Sequence, residues 1–233
     1  MNDCLMKLTE NPDWLKELPQ EARLETKDGP VQVRTQRMGA LRLPSGRIVA
    51  CDPALVDVPP LERTVPAGEY PTTAVYIVYE RDDDTRVAAA CIDFAPGAIC
   101  SWEPAVPEGV KEHVRRRGRA HGLGVDSAIA SFMSAEACEH LNGPRKSELT
   151  QVLADADREE RSPTCWWGLA RLPGAEGLNV ALFSAGNGDG RYPVFWGLSD
   201  TGAAIRLVTD FLLVRQWRGQ TGISLRPWWR LWR

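Results

Sequence analysis

The chain of 233 residues contains few of the side chains that mark common catalytic sites. Its three histidines have no second histidine two or four positions away, which excludes an imidazole-rich metal motif. None of its six cysteines forms a CxxC pair, which argues against a cysteine-ligated zinc site. The sequence also lacks GxSxG, Walker and GxGxxG motifs, so it carries no local signature of a serine hydrolase, a phosphate-binding loop or a dinucleotide site.

Long apolar runs are missing as well. No segment approaches the ~20 consecutive apolar residues that a membrane-spanning helix needs. The first residues lack the apolar stretch of a signal peptide, so we expect a cytoplasmic protein with reduced, buried cysteines. Hydrophobic residues make up 43% and charged residues 25%, as in ordinary globular proteins. The formal net charge of −3 predicts no overall attraction to nucleic acid.

Alternating apolar residues and turn signals predict strands towards both ends of the chain. The clearest hairpin joins residues 72–80 to residues 86–94 through the polar turn at 81–85. From residue 165 onward, glycine-rich turns separate further strand-like stretches, at 165–172, 178–184, 191–198 and 203–214.

The middle of the sequence favours helices instead. Residues 107–118 and 146–161 are polar helix candidates, and Asp126 or Ser127 can cap a helix that runs through Asn142. We therefore predict an α+β fold that is strand-rich at both ends, with antiparallel hairpins, and helical in the middle.

This pattern predicts three parts in the chain. They are an N-terminal helical segment at 1–30, a single α+β domain at 31–214 and a basic tail rich in tryptophan and arginine at 215–233. The central domain can alternatively be divided into two sheet subdomains joined by the helical middle, namely 31–105, 106–161 and 162–214.

An internal similarity favours the division into two related sheet units. A Gly-x-Tyr-Pro sequence, a strand, a polar turn and a strand ending in Asp-Phe occur twice, first around Tyr70 and Asp93 and again around Tyr192 and Asp210. Chance similarity between two ordinary hairpins is the other explanation, because turn and strand residues recur widely.

Seven segments also occur in an order that characterises a family. They are LPSGRIVACDP (43–53), PAGEYP (66–71), RVAAACIDF (86–94), Trp102-Glu103, GVDSA (124–128), FSAGNGDGRYPVFWGLSDTG (183–202) and LVTDF (207–211). Together they resemble the bacterial domain of unknown function 4241 family over about residues 38–214. The GDG-x-YP block before a Trp-Gly hairpin is the most specific part.

The resemblance implies no established activity, and the chain departs from the family pattern in one region. Where that pattern has Val-Asp-Ala-Gly and then a phenylalanine-like position followed by Asp, this chain has Val125-Asp126-Ser127-Ala128 and Phe132-Met133-Ser134. If those positions carry chemistry, this member has lost part of it.

Aspartates supply the strongest candidate catalytic constellation. They are found at strand ends, at a loop-to-helix junction, in a glycine-rich turn and before Phe211, and they are Asp52, Asp93, Asp126, Asp189 and Asp210. Carboxylates that converge bind a divalent cation or act as an acid and base pair. A metal-assisted hydrolase or transferase using Asp126, Asp189 and Asp210 is therefore the alternative function, with a divalent cation as its cofactor. Each aspartate also has a structural interpretation as a cap or turn residue.

Polar and aromatic residues of the second half supply the candidate binding residues. The residues in or beside the glycine-rich turn either line a groove or pack in the core, and they are Asn187, Tyr192 and Trp196. The residues in the tail combine indole rings with a cation, and they are Trp228, Trp229, Arg230 and Trp232. Such a tail suits docking onto its own domain or a protein partner, and contact with nucleic acid or a membrane is the weaker alternative. We therefore expect a non-catalytic binding module, of a regulatory or toxin-neutralising type, that recognises a protein partner and requires no cofactor.

Overall fold

Antiparallel β-strands dominate the chain. The computed structural model describes residues 11–18, 20–26, 29–110, 122–142, 152, 156–216 and 223–224. In chain order the strands are β1 (Glu21–Thr26), β2 (Gly29–Leu43), β3 (Ile48–Cys51), β4 (Gly68–Tyr79), β5 (Thr85–Asp93), β6 (Ser101–Pro104), β7 (Gly122–Val125), β8 (Ile129–Ser134), β9 (Asp157–Ser162), β10 (Cys165–Arg171), β11 (Asn179–Ser184), β12 (Gly190–Leu198), β13 (Ala204–Asp210), β14 (Arg215–Gln216) and β15 (Ile223–Ser224). The described residues add a 3-10 turn at Asp13–Leu15, the α-helix α1 (Ala135–Asn142) and a helical position at Val152.

The strands form two large sheets. The first has the order β1-β2-β4-β5-β13-β12-β6, and β7 pairs with the beginning of β12. The second has the order β3-β8-β11-β10-β9, and the short strands β14 and β15 pair separately. Every one of these pairings is antiparallel.

The two sheets pack face to face as a β-sandwich, with β2 and β5 of the first against β8, β10 and β11 of the second. Gly39 permits a close approach, because a Cβ at this position would lie 2.3 Å from Cδ1 of Leu169. Tyr76 of the first sheet stacks on Trp167 of the second, with ring centroids 5.1 Å apart. Burial of such side chains contributes about 1.5–3 kcal/mol each, so the interior between the sheets is the main source of stability.

The predicted helical middle is wrong, and with it the α+β class. Residues 129–134 form β8, a strand between β3 and β11, and α1 begins only at Ala135, where Ser134 Oγ accepts the N–H of Ala137 at 3.1 Å. The strand β8 (IASFMS) is buried along most of its length and lacks strict alternation of apolar and polar residues, so periodicity alone does not distinguish it from a helix. Residues 111–121, 143–151 and 153–155 lie outside the described residues.

Of the predicted helix at 146–161, the described residue Val152 is helical, whereas the end of the segment is a strand. Residues 157–162 form β9, which pairs with β10 and bears three acidic and two basic residues. Charged side chains are common on the outermost strand of a sheet because they discourage pairing with other chains. Where the predicted N-terminal helical segment at 1–30 is described, it contains the 3-10 turn, and residues 21–26 form β1.

The hairpins predicted from turn chemistry are present. The hairpin predicted at 72–94 is β4–β5, and the similar hairpin in the second half is β12–β13. The two lie side by side in the first sheet, because β5 pairs with β13 and places Asp93 opposite Arg206. No helix among the described residues is long and apolar enough to cross a membrane.

Candidate functional site

A buried aspartate organises one end of the sandwich. Asp52 directly follows β3 and its side chain is completely buried. One carboxylate oxygen accepts the N–H groups of Asp126 and Ser127, both at 2.8 Å. The other accepts the N–H of Ala54 and the hydroxyl of Ser127, also at 2.8 Å. Four donors therefore compensate the burial of one carboxylate, and hydrogen bonds to a charged acceptor are the strong ones.

The turn at 125–128 is held from its other side as well. Asp189 Oδ1 accepts the N–H of Ala128 at 3.0 Å, and the carbonyl of Ala128 accepts the N–H of Ala185 at 2.9 Å. Ala128 has a φ of +57°, a left-handed conformation that costs a non-glycine residue about 1–2 kcal/mol. The surrounding bonds therefore impose a backbone conformation that alanine does not favour.

A buried tyrosine holds the glycine-rich loop at 185–190 through hydrogen bonds to its backbone. The hydroxyl of Tyr192 donates to the carbonyl of Gly188 at 2.7 Å, and the carbonyl of Ala185 lies 3.4 Å from it. Burial raises the pKa of Tyr192 above its ordinary value, and the charge of Asp189 acts in the same direction. The phenol consequently stays protonated and keeps donating at neutral pH.

Aromatic rings form the base of this loop. Tyr192 meets Phe211 edge to face at 4.8 Å, and Phe211 contacts Phe183 at 6.0 Å. Gly186 lies so close that a Cβ there would be 2.7 Å from Cβ of Phe211. We call the assembly of Asp52, the 125–128 turn and the 185–190 loop the loop site.

The loop site faces solvent with small and polar groups. Asp126, Ser127 and Asp189 are exposed, and Asn187 is half-buried. Two of the three predicted catalytic residues, Asp126 and Asp189, thus flank the same turn, and the predicted binding residue Asn187 lies in the neighbouring loop. Asp126 and Asp189 therefore bring two exposed carboxylates to this surface.

Asp210 is engaged elsewhere, at the end of β13. Its carboxylate is almost fully buried, accepts the N–H of Leu212 at 2.8 Å and lies 3.4 Å from the indole N–H of Trp14. Within the described ranges, no group of three or more histidine, cysteine, aspartate or glutamate residues could hold a metal ion. The structure therefore brings Asp126 and Asp189 to one turn, whereas Asp210 contacts Trp14 of the N-terminal segment.

The predicted aromatic binding residues that the structure describes lie in the interior. Tyr192 is 4% exposed and Trp196 is 2% exposed. Trp196 packs on Phe94 at 5.6 Å, and the guanidinium of Arg63 lies 5.9 Å from its ring. Among the described residues, Leu55 is the only exposed large hydrophobic side chain. The tail residues Trp228, Trp229, Arg230 and Trp232 lie outside the described residues, so docking of the tail stays a prediction.

Sequence reasoning underestimated Asp52 and Ser127. Asp52 was one of several candidate aspartates, and Ser127 was a candidate helix cap, whereas the two bond to each other across 75 positions. A signal was available, because Asp52 lies between a buried apolar strand and Pro53, where a charged residue needs several donors.

Fold and geometry define a two-sheet antiparallel β-sandwich whose loops at one end are fixed by a buried aspartate. A family model described as "Protein of unknown function (DUF4241)" matches residues 41–209. This match covers well over half of the chain, so the chain belongs to that family, and the resemblance seen in the sequence is confirmed. Searches of the curated proteins and of the solved structures returned no match.

Proposed function

We propose that the protein is a non-catalytic binding module that recognises a protein partner through the loop site. The observation that carries this proposal is that the buried and exposed polar side chains of the loop site bond to the backbone of its loops. Asp52, Asp189 and Tyr192 direct their oxygens at loop backbone, which fixes the loops in one conformation. Loops held by a rigid scaffold are common recognition surfaces, and a fixed conformation reduces the entropy lost on binding.

The exposed groups indicate the chemistry of the partner. Asp126 and Asp189 are exposed carboxylates, and large apolar side chains are buried below them. A polar interface of this kind gains specificity and association rate from charge complementarity. The proposed partner therefore presents basic side chains or N–H donors to the loop site.

The alternative, a metal-assisted hydrolase or transferase, has less geometric support. It needs Asp126, Asp189 and Asp210 to direct oxygens to a common point. Asp189 bonds to the N–H of Ala128, and Asp210 bonds to the N–H of Leu212. Calorimetric titration with magnesium, manganese and calcium tests this alternative. Saturable binding that is lost in an Asp189→Ala, Asp210→Ala double variant would favour it.

Site-specific photo-crosslinking in cells tests the proposed binding function. A photoreactive amino acid at Asn187 is expected to capture a partner, whereas the same amino acid at Thr201 is not. Thr201 is an exposed turn residue beyond the opposite end of β12, so it provides a matched control position.

The captured protein is then purified and titrated calorimetrically against three forms of the full chain. Asp126→Lys reverses an exposed charge at the loop site, and Asp200→Lys makes the same change in the distant turn. We expect a loss of affinity of about tenfold or more for Asp126→Lys and none for Asp200→Lys, because one unfavourable charge contact costs about 1.4 kcal/mol or more. Equal affinities for both variants would contradict the proposal.

A further inference from the structure

The only exposed large hydrophobic side chain among the described residues lies next to the loop site. It is Leu55, and its exposed fraction is 43%. Single exposed leucines are common on protein surfaces and by themselves indicate no function. The contacts of the neighbouring backbone and the charges around Leu55 therefore decide whether its exposure has a role.

One carboxylate links the backbone at Leu55 to the 125–128 turn. Asp52 Oδ1 accepts the N–H of Ala54, the residue before Leu55, at 2.8 Å. The same oxygen accepts the hydroxyl of Ser127 at 2.8 Å. Two donors that share one oxygen are separated by no more than twice this distance. The chain at Leu55 therefore runs beside the exposed turn residue Ser127.

The segment that carries Leu55 is fixed on both sides. The N–H of Leu55 donates to the carbonyl of Asp52 at 2.8 Å. Val56 is buried, and its carbonyl accepts the thiol of Cys138 in α1 at 3.1 Å. Buried neighbours thus hold the backbone of Leu55 in one position while its side chain stays accessible. A surface fixed in this way loses little conformational freedom when a partner covers it.

Carboxylates accompany this apolar side chain. Asp57 is exposed two positions after Leu55. Asp126 is exposed in the turn whose backbone N–H groups bond to Asp52. An apolar contact with polar residues around it is the usual plan of a protein interface, which has an apolar centre and a polar rim. The complementary surface combines an apolar side chain with basic residues.

We propose that Leu55 is the apolar contact of the loop site, and that the partner is a protein segment with an apolar side chain flanked by lysine or arginine. This inference rests on the proposed function, because it concerns the same surface. The apolar side chain of the partner packs on Leu55, and its cations face Asp57 and Asp126. Burial of apolar surface supplies affinity, and charge complementarity supplies specificity and association rate.

Selection from a random-peptide display library, with the full chain as the target, tests this inference. We expect the selected peptides to carry leucine, isoleucine, methionine or phenylalanine next to lysine or arginine. One selected peptide is then synthesised and titrated calorimetrically against the wild-type protein and its variants. Leu55→Ser is expected to weaken binding about tenfold, because it removes the apolar contact at the centre of the interface.

Two further variants serve as controls. Leu55→Met keeps an apolar side chain of similar volume, so its affinity for the peptide is expected to stay within about twofold of the wild-type value. Asp200→Lys changes an exposed residue in a distant turn and is expected to leave the affinity unchanged. The urea midpoint of Leu55→Ser is expected to match that of Leu55→Met, which would show that the loss of binding does not come from unfolding.

The possible outcomes distinguish this inference from the proposed function. A peptide whose affinity falls in Asp126→Lys but not in Leu55→Ser would overturn the role of Leu55 and keep the loop site as the binding surface. A peptide that is insensitive to both changes would contradict the loop site itself. Selection of acidic peptides, or of none, would overturn the proposed chemistry of the partner.

Discussion

Replacing Asp52 with asparagine tests whether one buried carboxylate holds the loop site together. The carboxylate accepts four hydrogen bonds. Three donors are backbone N–H groups, which cannot reverse their polarity, and the fourth is the hydroxyl of Ser127, which can. Asparagine has one oxygen and one NH2 group at these positions, so in either orientation the NH2 group faces at least one backbone N–H.

The expected cost follows from this mismatch. At least one backbone N–H loses a charged acceptor, and a hydrogen bond of that kind contributes about 1.5–3 kcal/mol. The same N–H is left unsatisfied in a buried place, which costs about 1–3 kcal/mol, and the two contributions partly overlap. We therefore expect Asp52→Asn to lower the free energy of unfolding by about 2–4 kcal/mol.

Urea unfolding followed by tryptophan fluorescence measures this change, since the chain contains nine tryptophans. With an m-value of about 3 kcal/mol per molar urea, the midpoint is expected to fall by about 1 M. Asp126→Asn is the matched control, because it changes an exposed carboxylate in the same turn and keeps the N–H that bonds to Asp52. A midpoint shift for Asp52→Asn no larger than that of the control would refute the reasoning.

Three further changes test other parts of the loop site and the second sheet. Ala128→Gly is expected to raise the free energy of unfolding by about 0.5–1 kcal/mol in urea titrations, because glycine adopts a φ of +57° without strain but has more freedom when unfolded. Gly168→Ala should lower it by about 2–3 kcal/mol in the same assay, since the new Cβ would lie 2.3 Å from the carbonyl oxygen of Asp157 and displace β9. The pKa of Tyr192 is raised in the folded state, so the unfolded chain loses the phenolic proton at a lower pH than the folded protein does. The free energy of unfolding should therefore fall above about pH 10. Urea titrations at pH 8 and pH 11 should show a smaller fall for Tyr192→Phe than for the wild-type protein.

The sequence predicted hairpins better than it predicted the middle of the chain. The β4–β5 and β12–β13 hairpins depend on local turn chemistry, and local chemistry is visible in a sequence. The strand β8 depends on partners distant in the chain, β3 and β11, which satisfy its backbone on both sides. Its short apolar run fits a helix face and a buried strand equally well, so only the tertiary structure decides between them.

The candidate site was predictable in its parts but not in its connections. Turn chemistry identifies the glycine-rich loop, whereas the predicted role of Asp126 as a helix cap is wrong, because the strand β8 follows it. The bond from Asp52 to the 125–128 turn spans about 75 positions, and no local pattern encodes such a contact. The burial of Tyr192 and Trp196 was also not predictable, because an aromatic residue beside a loop can face either the solvent or the core.

Stability and function are coupled differently under the two proposed functions. A catalytic carboxylate is often strained or poorly solvated, so its removal tends to leave stability unchanged or to raise it. Two aspartates of the enzyme alternative show the opposite arrangement, since Asp189 accepts the N–H of Ala128 and Asp210 accepts that of Leu212. The strain at the loop site lies instead in the backbone of Ala128, a residue that carries no reactive group. Strain in the turn backbone, together with stabilising carboxylates, favours a surface whose shape is recognised over a site whose aspartates react.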